Sequence, residues 1–135
     1  MVTFLLDTNV CINYLKHTES SIVRKIRSLS PEEIAVCSVV KFEMFYGSLR
    51  SVDPERSMKV QSQFFSQFTS LPFDDKSALM AGEIRAKLAS TGKIIGAYDI
   101  QIAAIALANE LTLVTHNTRE FSRIRDLRLA DWESE

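Results

Sequence analysis

A chain of 135 residues that is 46% hydrophobic and 24% charged carries enough apolar mass for one packed core, so a single domain over residues 1–135 is expected. Its formal net charge of −1 excludes a whole-protein field that draws in nucleic acid, and any phosphate contacts must come from local clusters. No apolar run approaches the roughly 20 residues of a membrane span, and no charged leader precedes a cleavable apolar region, so the cytoplasm is the expected location.

The chain opens on an apolar run, VTFLLDTN from Val2, that stops at Asp7 and passes into residues that cap helices. Residues 2–6 read as a buried strand, which puts Asp7 at a carboxyl end, where open α/β sheets place their ligand sites. Val10, Ile12, Tyr14 and Leu15 then predict a helix to about Lys16. Ile22, Val23, Ile26 and Leu29 predict a second from about Ser20 to Leu29, broken by Ser30-Pro31. IAVCSVV from Ile34 is a short, continuously apolar strand of the parallel kind. From Ser38 to Leu49 the pattern is helical, with Val39, Val40, Phe42, Phe45, Tyr46 and Leu49 giving a broad apolar surface from which Glu43 projects.

Asp53-Pro54 is a cap and first-turn pair for a helix reaching about Thr69. Its stripe of Val60, Phe64, Phe65 and Phe68 has no interleaved basic residues, so it reads as core or subunit interface rather than as a base-stacking platform. LPF at Leu71 reads as a third short strand, and Asp74 or Asp75 caps a helix through Ala78, Ala81, Ile84 and Leu88 that Gly92 ends. Asp99 opens IQIAAIALANEL, apolar almost all round and therefore buried. LTLVT at 111–115 is a further buried strand, followed by His116-Asn117 and a helical segment from Arg119 to Ile124. Leu127 to Leu129 is a last extended piece before a polar tail containing Trp132.

Strands alternating with helices imply an α/β fold, a short, mostly parallel central sheet flanked by helices, with Asp7 and Asn117 along one edge. Cys11 and Cys37 lie in apolar stretches without CxxC spacing and are expected to be buried reduced thiols. His17 and His116 are far apart and match no metal-ligand spacing; His17 is expected in solvent.

Asp7, Glu43 and Asp99 each have a structural explanation: the two aspartates as helix caps, the glutamate as a residue reaching solvent or pairing with a buried arginine. Jointly those explanations weaken, because three carboxylates meeting in a half-buried cleft repel one another unless a cation holds them. A hard divalent ion, Mg²⁺ or Mn²⁺, takes oxygen ligands and keeps several waters. It lowers the pKa of a bound water and neutralises charge building on phosphorus, so the chemistry implied is phosphodiester hydrolysis.

Four segments then carry a resemblance: LLDTNVCI at the start, SVVKFEMFYG around Glu43, GKIIGAYDIQIAA around Asp99 and LVTHNTREFSRI near the end. In this order and spacing they resemble the PIN-domain ribonucleases, specifically the VapC toxins of bacterial VapBC toxin–antitoxin pairs, from Phe4 to Trp132. The resemblance implies a compact α/β/α sandwich and a Mg²⁺-dependent endoribonuclease toxin inhibited by a cognate VapB antitoxin. It also implies homodimers and higher toxin–antitoxin assemblies. Members similar in the Asp99 and terminal motifs cut initiator tRNA in its anticodon loop. By position Asp7, Glu43 and Asp99 match the family's acidic triad, with Asp7 and Asp99 as direct metal ligands. Many PIN domains place a fourth acid where this chain has Asn117, which removes one charge from a second metal position; Glu120 is the possible substitute. Thr8, Asn9 and Thr115 fit the role of orienting the carboxylates.

Candidates for holding RNA are Arg85, Lys87 and Lys93 before Asp99, and Arg119 and Arg123 beside Asn117, any of which could instead be solvated surface charge. Arg85 or Arg119 could alternatively receive an antitoxin segment. Two other readings stay open. Haloacid-dehalogenase-like phosphatases also place an aspartate after the first strand, as a nucleophile, but usually with a second acid where this chain has Asn9. A decayed PIN module that binds RNA or protein without cleaving is the other.

Overall fold

The computed structural model describes residues 1–134. Five strands form one sheet in the order β3-β2-β1-β4-β5, every neighbouring pair parallel. They are β1 (Phe4–Leu6), β2 (Ile34–Cys37), β3 (Thr69–Leu71), β4 (Thr112–Val114) and β5 (Leu129–Ala130). Between them run α1 (Thr8–Lys16), α2 (Ser21–Ser28), α3 (Ser38–Leu49), α4 (Pro54–Phe65), α5 (Asp75–Ser90), α6 (Ala97–Ala108) and α7 (Thr118–Phe121). The apolar runs explain the centre of the sheet. Leu5, Leu6, Ile34, Val36, Leu113 and Val114 are completely buried, as strands covered on both faces must be. Among the described residues no helix is long and apolar enough to cross a membrane.

Side-chain caps fix several helix starts. Asp7, Ser20, Asp53 and Asp74 each accept from a backbone N–H of the first turn. Gly92, at φ 71°, sits just past the end of α5 in the left-handed region that glycine occupies without penalty. Cys11 and Cys37 are buried free thiols, and burial pushes the Cys37 thiol up to about 11, so both are the inert core residues expected.

Elsewhere the boundaries move for physical reasons. The third strand ends at Leu71 rather than beginning there: Pro72 has no N–H for a ladder, and the exposed Thr69 and Ser70 suit a sheet edge. Helix α4 stops at Phe65, short of Thr69. Helix α6 begins two residues before Asp99, capped by Gly96 without a side-chain bond, so Asp99 is not a cap. The helical segment after Asn117 covers Thr118–Phe121 instead of reaching Ile124, and the last extended piece is Leu129–Ala130. Trp132 does not belong to a solvated tail. It is 2% exposed, with its ring edge-on to Phe4 at 5.1 Å, and it closes the core beneath β1.

The stripe at Val60, Phe64, Phe65 and Phe68 takes the core reading for its three rings, which are buried, while Val60 is exposed. On α3 the buried residues are Val39, Val40, Met44 and Ser48, whereas Phe42, Tyr46 and Leu49 face solvent.

Candidate functional site

Parallel pairing of Leu6 with Val114 brings the ends of β1 and β4 side by side, and the Asp7 N–H donates to the Val114 carbonyl at 3.0 Å. Asp7 is 4% exposed. Its Oδ1 accepts from Thr8 N at 2.7 Å and its Oδ2 from Thr115 Oγ1 at 2.8 Å. Thr115, itself fully buried, accepts in turn from Asn117 N at 3.0 Å. Thr8 also donates through its hydroxyl to Glu43 Oε1 at 2.9 Å. Thr8, at the start of α1, thus bonds both the adjacent Asp7 carboxylate and that of Glu43, 35 positions away from it in sequence.

Asp99 reaches the same edge from the first turn of α6. Burial first, and then repulsion from Asp7, Glu43 and Glu120, raises its carboxyl to about 6. Asp7 is raised as well, chiefly by burial, with the Thr115 and Thr8 hydrogen bonds opposing and Glu43 adding repulsion. Glu120 joins through α7, where the Asn117 side-chain amide donates to its Oε2 at 3.2 Å. The ion pairs among the described residues join His116 to Asp131 and Glu133, so no cationic side chain neutralises these four acids. They form a negatively charged, oxygen-only donor set of the kind that suits a hard divalent cation.

The described residues contain one group of three whose ligand atoms lie within 4.8 Å of one another, and it is His116, Asp131 and Glu133. Asp7, Glu43 and Asp99 stand further apart, and three carboxylate oxygens bonded to one Mg²⁺ at 2.0–2.1 Å would lie closer than that. The arrangement therefore fits one or two direct carboxylates, with water completing the shell. His116, for which sequence spacing offered no partner, lies 3.0 Å from Asp131 Oδ2 and 3.4 Å from Glu133 Oε2. These partners lie beyond β5, outside the range of any local motif.

Of the residues expected to orient the carboxylates, Thr8 and Thr115 do so directly. Asn9 is exposed and lies one position beyond the residue that the Asp7 cap engages. The five basic candidates do not form one patch. Arg85 and Lys93 line a cavity of about 380 Å³ with the Ile94–Ala97 loop that leads to Asp99. Lys87 and Arg123 line another, of about 220 Å³, between α5 and the segment after α7. Arg123 also donates to the Ile94 carbonyl at 3.3 Å, tying that loop down, and Arg119 is exposed on α7. Sequence reasoning missed the groove beside Glu43. It is a space of about 650 Å³ lined by Ile12, Leu15, Met44, Val52 and Val60 among others, and its only sequence signal is that α1 and α3 are each apolar over more than one face.

An all-parallel sheet that gathers four acids and no cation at its carboxyl edge defines an α/β protein with a hard-cation site. Residues 4–127 match the model of the PIN domain, and the chain belongs to that family, within its VapC branch. It is 40% identical over 132 residues, covering 98% of this chain and 99% of the relative, to a tRNA(fMet)-specific endonuclease VapC of Shigella flexneri. It is 37% identical, over the same shares of both chains, to Ribonuclease VapC2 of Haemophilus influenzae strain Rd. Among solved structures, DNA-bound VapBC from Salmonella typhimurium aligns with a TM-score of 0.92 at 38% identity, covering 98% of this chain and 99% of that one. VapBC2 from Rickettsia felis bound to a promoter DNA fragment aligns at 0.90 with 34% identity and the same coverage.

Proposed function

We propose that this chain, acting as one PIN domain, is the endoribonuclease toxin of a toxin–antitoxin pair, hydrolysing phosphodiester bonds of a tRNA with Mg²⁺ as its ion and Mn²⁺ as a substitute. The observation that carries the reading is the meeting of Asp7, Glu43, Asp99 and Glu120 without a cation in a half-buried edge, where burial first and then their repulsion raise Asp99 to about 6. The tRNA substrate rests on the endonuclease VapC relatives from Shigella and Salmonella, both named for tRNA(fMet). Control by a VapB-type antitoxin rests on the VapBC structures.

When bound, the ion supplies a water of lowered pKa and positive charge beside the phosphorus. The chain's own residues prepare that place. Asp7 is pinned on both oxygens and with Asp99 would hold the ion directly. Glu43, hydrogen-bonded by Thr8, would act as the proton acceptor at that edge. Asn117 donates to Glu120, which would supply the fourth acid that this chain lacks at position 117. The groove beside Glu43 gives an antitoxin segment an apolar seat within reach of these carboxylates.

The test is cleavage of total RNA by antitoxin-free protein, with cut sites mapped. Cleavage with Mg²⁺ or Mn²⁺, abolished by chelator and reduced in Asp7→Asn and Asp99→Asn to the chelated level while RNA affinity persists, is expected. Full activity in either variant would sink the metal-site assignment, and cuts confined to RNAs other than tRNA would remove the substrate.

A further inference from the structure

The parallel pairing of β4 with β5 brings a second set of side chains to the carboxyl edge of the sheet. Val114 registers with Ala130, and the Thr115 N–H donates to the Ala130 carbonyl at 2.9 Å, so His116 and Asp131 leave their strands side by side. Asp131 and Glu133 flank Trp132, which is buried against Phe4, and His116 follows Thr115, which is fully buried. All three side chains therefore stand on anchored backbone, although the imidazole itself is exposed. The His116 Nδ1 lies 3.2 and 3.0 Å from the two Asp131 oxygens and 3.4 Å from Glu133 Oε2. The Asp131 carboxylate also accepts from Glu133 N at 3.0 Å and from Ser134 Oγ at 2.8 Å. Glu133 Oε1 accepts from Asn13 Nδ2, on α1, at 3.5 Å.

One ring nitrogen carries at most one N–H, yet two carboxylates converge on Nδ1. Two acids against one imidazole also leave the cluster with excess negative charge, whether the ring is neutral or protonated. A metal ion meets both conditions, because it takes a lone pair from the nitrogen and from each acid at once. The three ligand atoms lie within 4.8 Å of one another, and ligands about 2.0–2.2 Å from a tetrahedral ion stand roughly 3.3–3.5 Å apart, close to the spacing between Nδ1 and the acids. The donor set decides which ion. An imidazole with carboxylates suits Zn²⁺ and its neighbours Co²⁺ and Ni²⁺, whereas the oxygen-only edge at Asp7 suits a hard cation. We propose that His116, Asp131 and Glu133 bind a second ion of the Zn²⁺ class, with water as fourth ligand, and that this ion clamps the C-terminal segment to the end of β4. The clamp adjoins Thr115 and Asn117 but shares no ligand with the acids, so it does not depend on the ribonuclease reading.

The test is calorimetric titration of Zn²⁺ into the antitoxin-free full chain with Mg²⁺ in excess, in the wild type and in Asp99→Asn, which disarms the catalytic edge. One Zn²⁺ per chain is expected in Asp99→Asn. Adding His116→Ala, Asp131→Asn or Glu133→Gln is expected to weaken it about 10-fold or more. Cys11 and Cys37 are buried and do not compete for the ion. At about 100 times its Kd, Zn²⁺ should raise Tm by about 5 °C or more in Asp99→Asn and leave the protein that also carries His116→Ala unchanged. Co²⁺ in place of Zn²⁺ should give the visible absorption of a four-coordinate site, lost with His116→Ala. The His116 side chain is 60% exposed and that of Glu133 37%, so these variants fold; unchanged circular dichroism checks this. Zn²⁺ binding that survives His116→Ala and Asp131→Asn but is lost in Asp7→Asn would place the ion at the catalytic edge and overturn the proposal. A protein that binds no Zn²⁺ in Asp99→Asn would overturn it too, leaving the three residues as an ion-pair cluster. Cleavage of RNA with Mg²⁺ is a separate readout, so either result leaves the ribonuclease reading where its own test puts it.

Discussion

Replacing Asp99 by asparagine should stabilise the metal-free protein. The Asp99 carboxyl is raised from an ordinary value of 3.8 to about 6, by burial first and then by Asp7, Glu43 and Glu120, and no hydrogen bond offsets the repulsion. Because the native state holds this proton more tightly than the unfolded chain, stability falls as pH rises through the interval between those two values and stays lower above it. Two units at 1.36 kcal/mol each set a ceiling of about 3 kcal/mol. Solvent screening at a half-exposed group reduces this to roughly 1–2 kcal/mol. Asparagine keeps the shape and cannot ionise, so Asp99→Asn should raise Tm by about 3–6 °C near pH 7.5 with chelator present. Near pH 3, below both values, where the carboxyl is protonated in the native and unfolded states alike, the gain should vanish. Differential scanning calorimetry at both pH values, with and without Mg²⁺, makes the comparison. Added Mg²⁺ should stabilise the wild type and leave the variant nearly unchanged. A variant melting at or below the wild type near pH 7.5, or showing the same gain at both pH values, would refute the argument that burial and like charge destabilise the ionised Asp99.

Thr115→Val removes the hydroxyl that donates to Asp7 Oδ2 and accepts from Asn117 N. Metal-dependent cleavage should fall by about 10–100-fold, and because one of the two bonds that lower the Asp7 pKa is lost, the acid limb of the pH–rate profile should move to higher pH. An unchanged limb would show that Thr115 only fills space. Trp132→Ala empties a fully packed position against Phe4 and should destabilise by about 3–5 kcal/mol in urea unfolding; a loss under 1 kcal/mol would mean that the terminal segment is not part of the core.

The sheet was legible wherever burial on both faces produced an unbroken apolar run, as at Leu5, Val36 and Leu113, and helices were legible where an acid or hydroxyl caps them, as at Ser20, Asp53 and Asp74. The start of α6 was not, because Gly96 caps it with backbone alone and Asp99, a good capping residue type, stands two positions into the helix. Trp132 misled because composition around it is polar while its partner, Phe4, lies at the far end of the chain. At the site, Asp7 could be picked out as an acid ending an apolar strand, Glu43 as one on an apolar helix face and Asp99 as one opening an apolar helix, with Thr8 and Thr115 as hydroxyls beside the strand ends. Three assignments depended on orientation, which residue type does not specify. Asn9 is exposed, Glu120 joins the acids with Asn117 as its donor, and the rings of α3 divide between core and solvent.

The hydrogen bonds distribute the site's repulsion unevenly, and that unevenness has a functional consequence. Asp7 receives two donors and Glu43 one, all traceable to Thr8 and Thr115, so these acids are fixed in place and part of their charge is already compensated. Asp99 receives none, and the like-charge strain of the edge falls on it. A cation held between Asp7 and Asp99 would relieve the most repulsion at the carboxylate that no hydrogen bond anchors. The same edge repels a phosphodiester backbone until that charge is offset, and with a net charge of −1 the rest of the molecule offers little long-range attraction to compensate. Metal and RNA are therefore coupled ligands of this protein. On the proposed reading, each would raise the affinity for the other by the same factor.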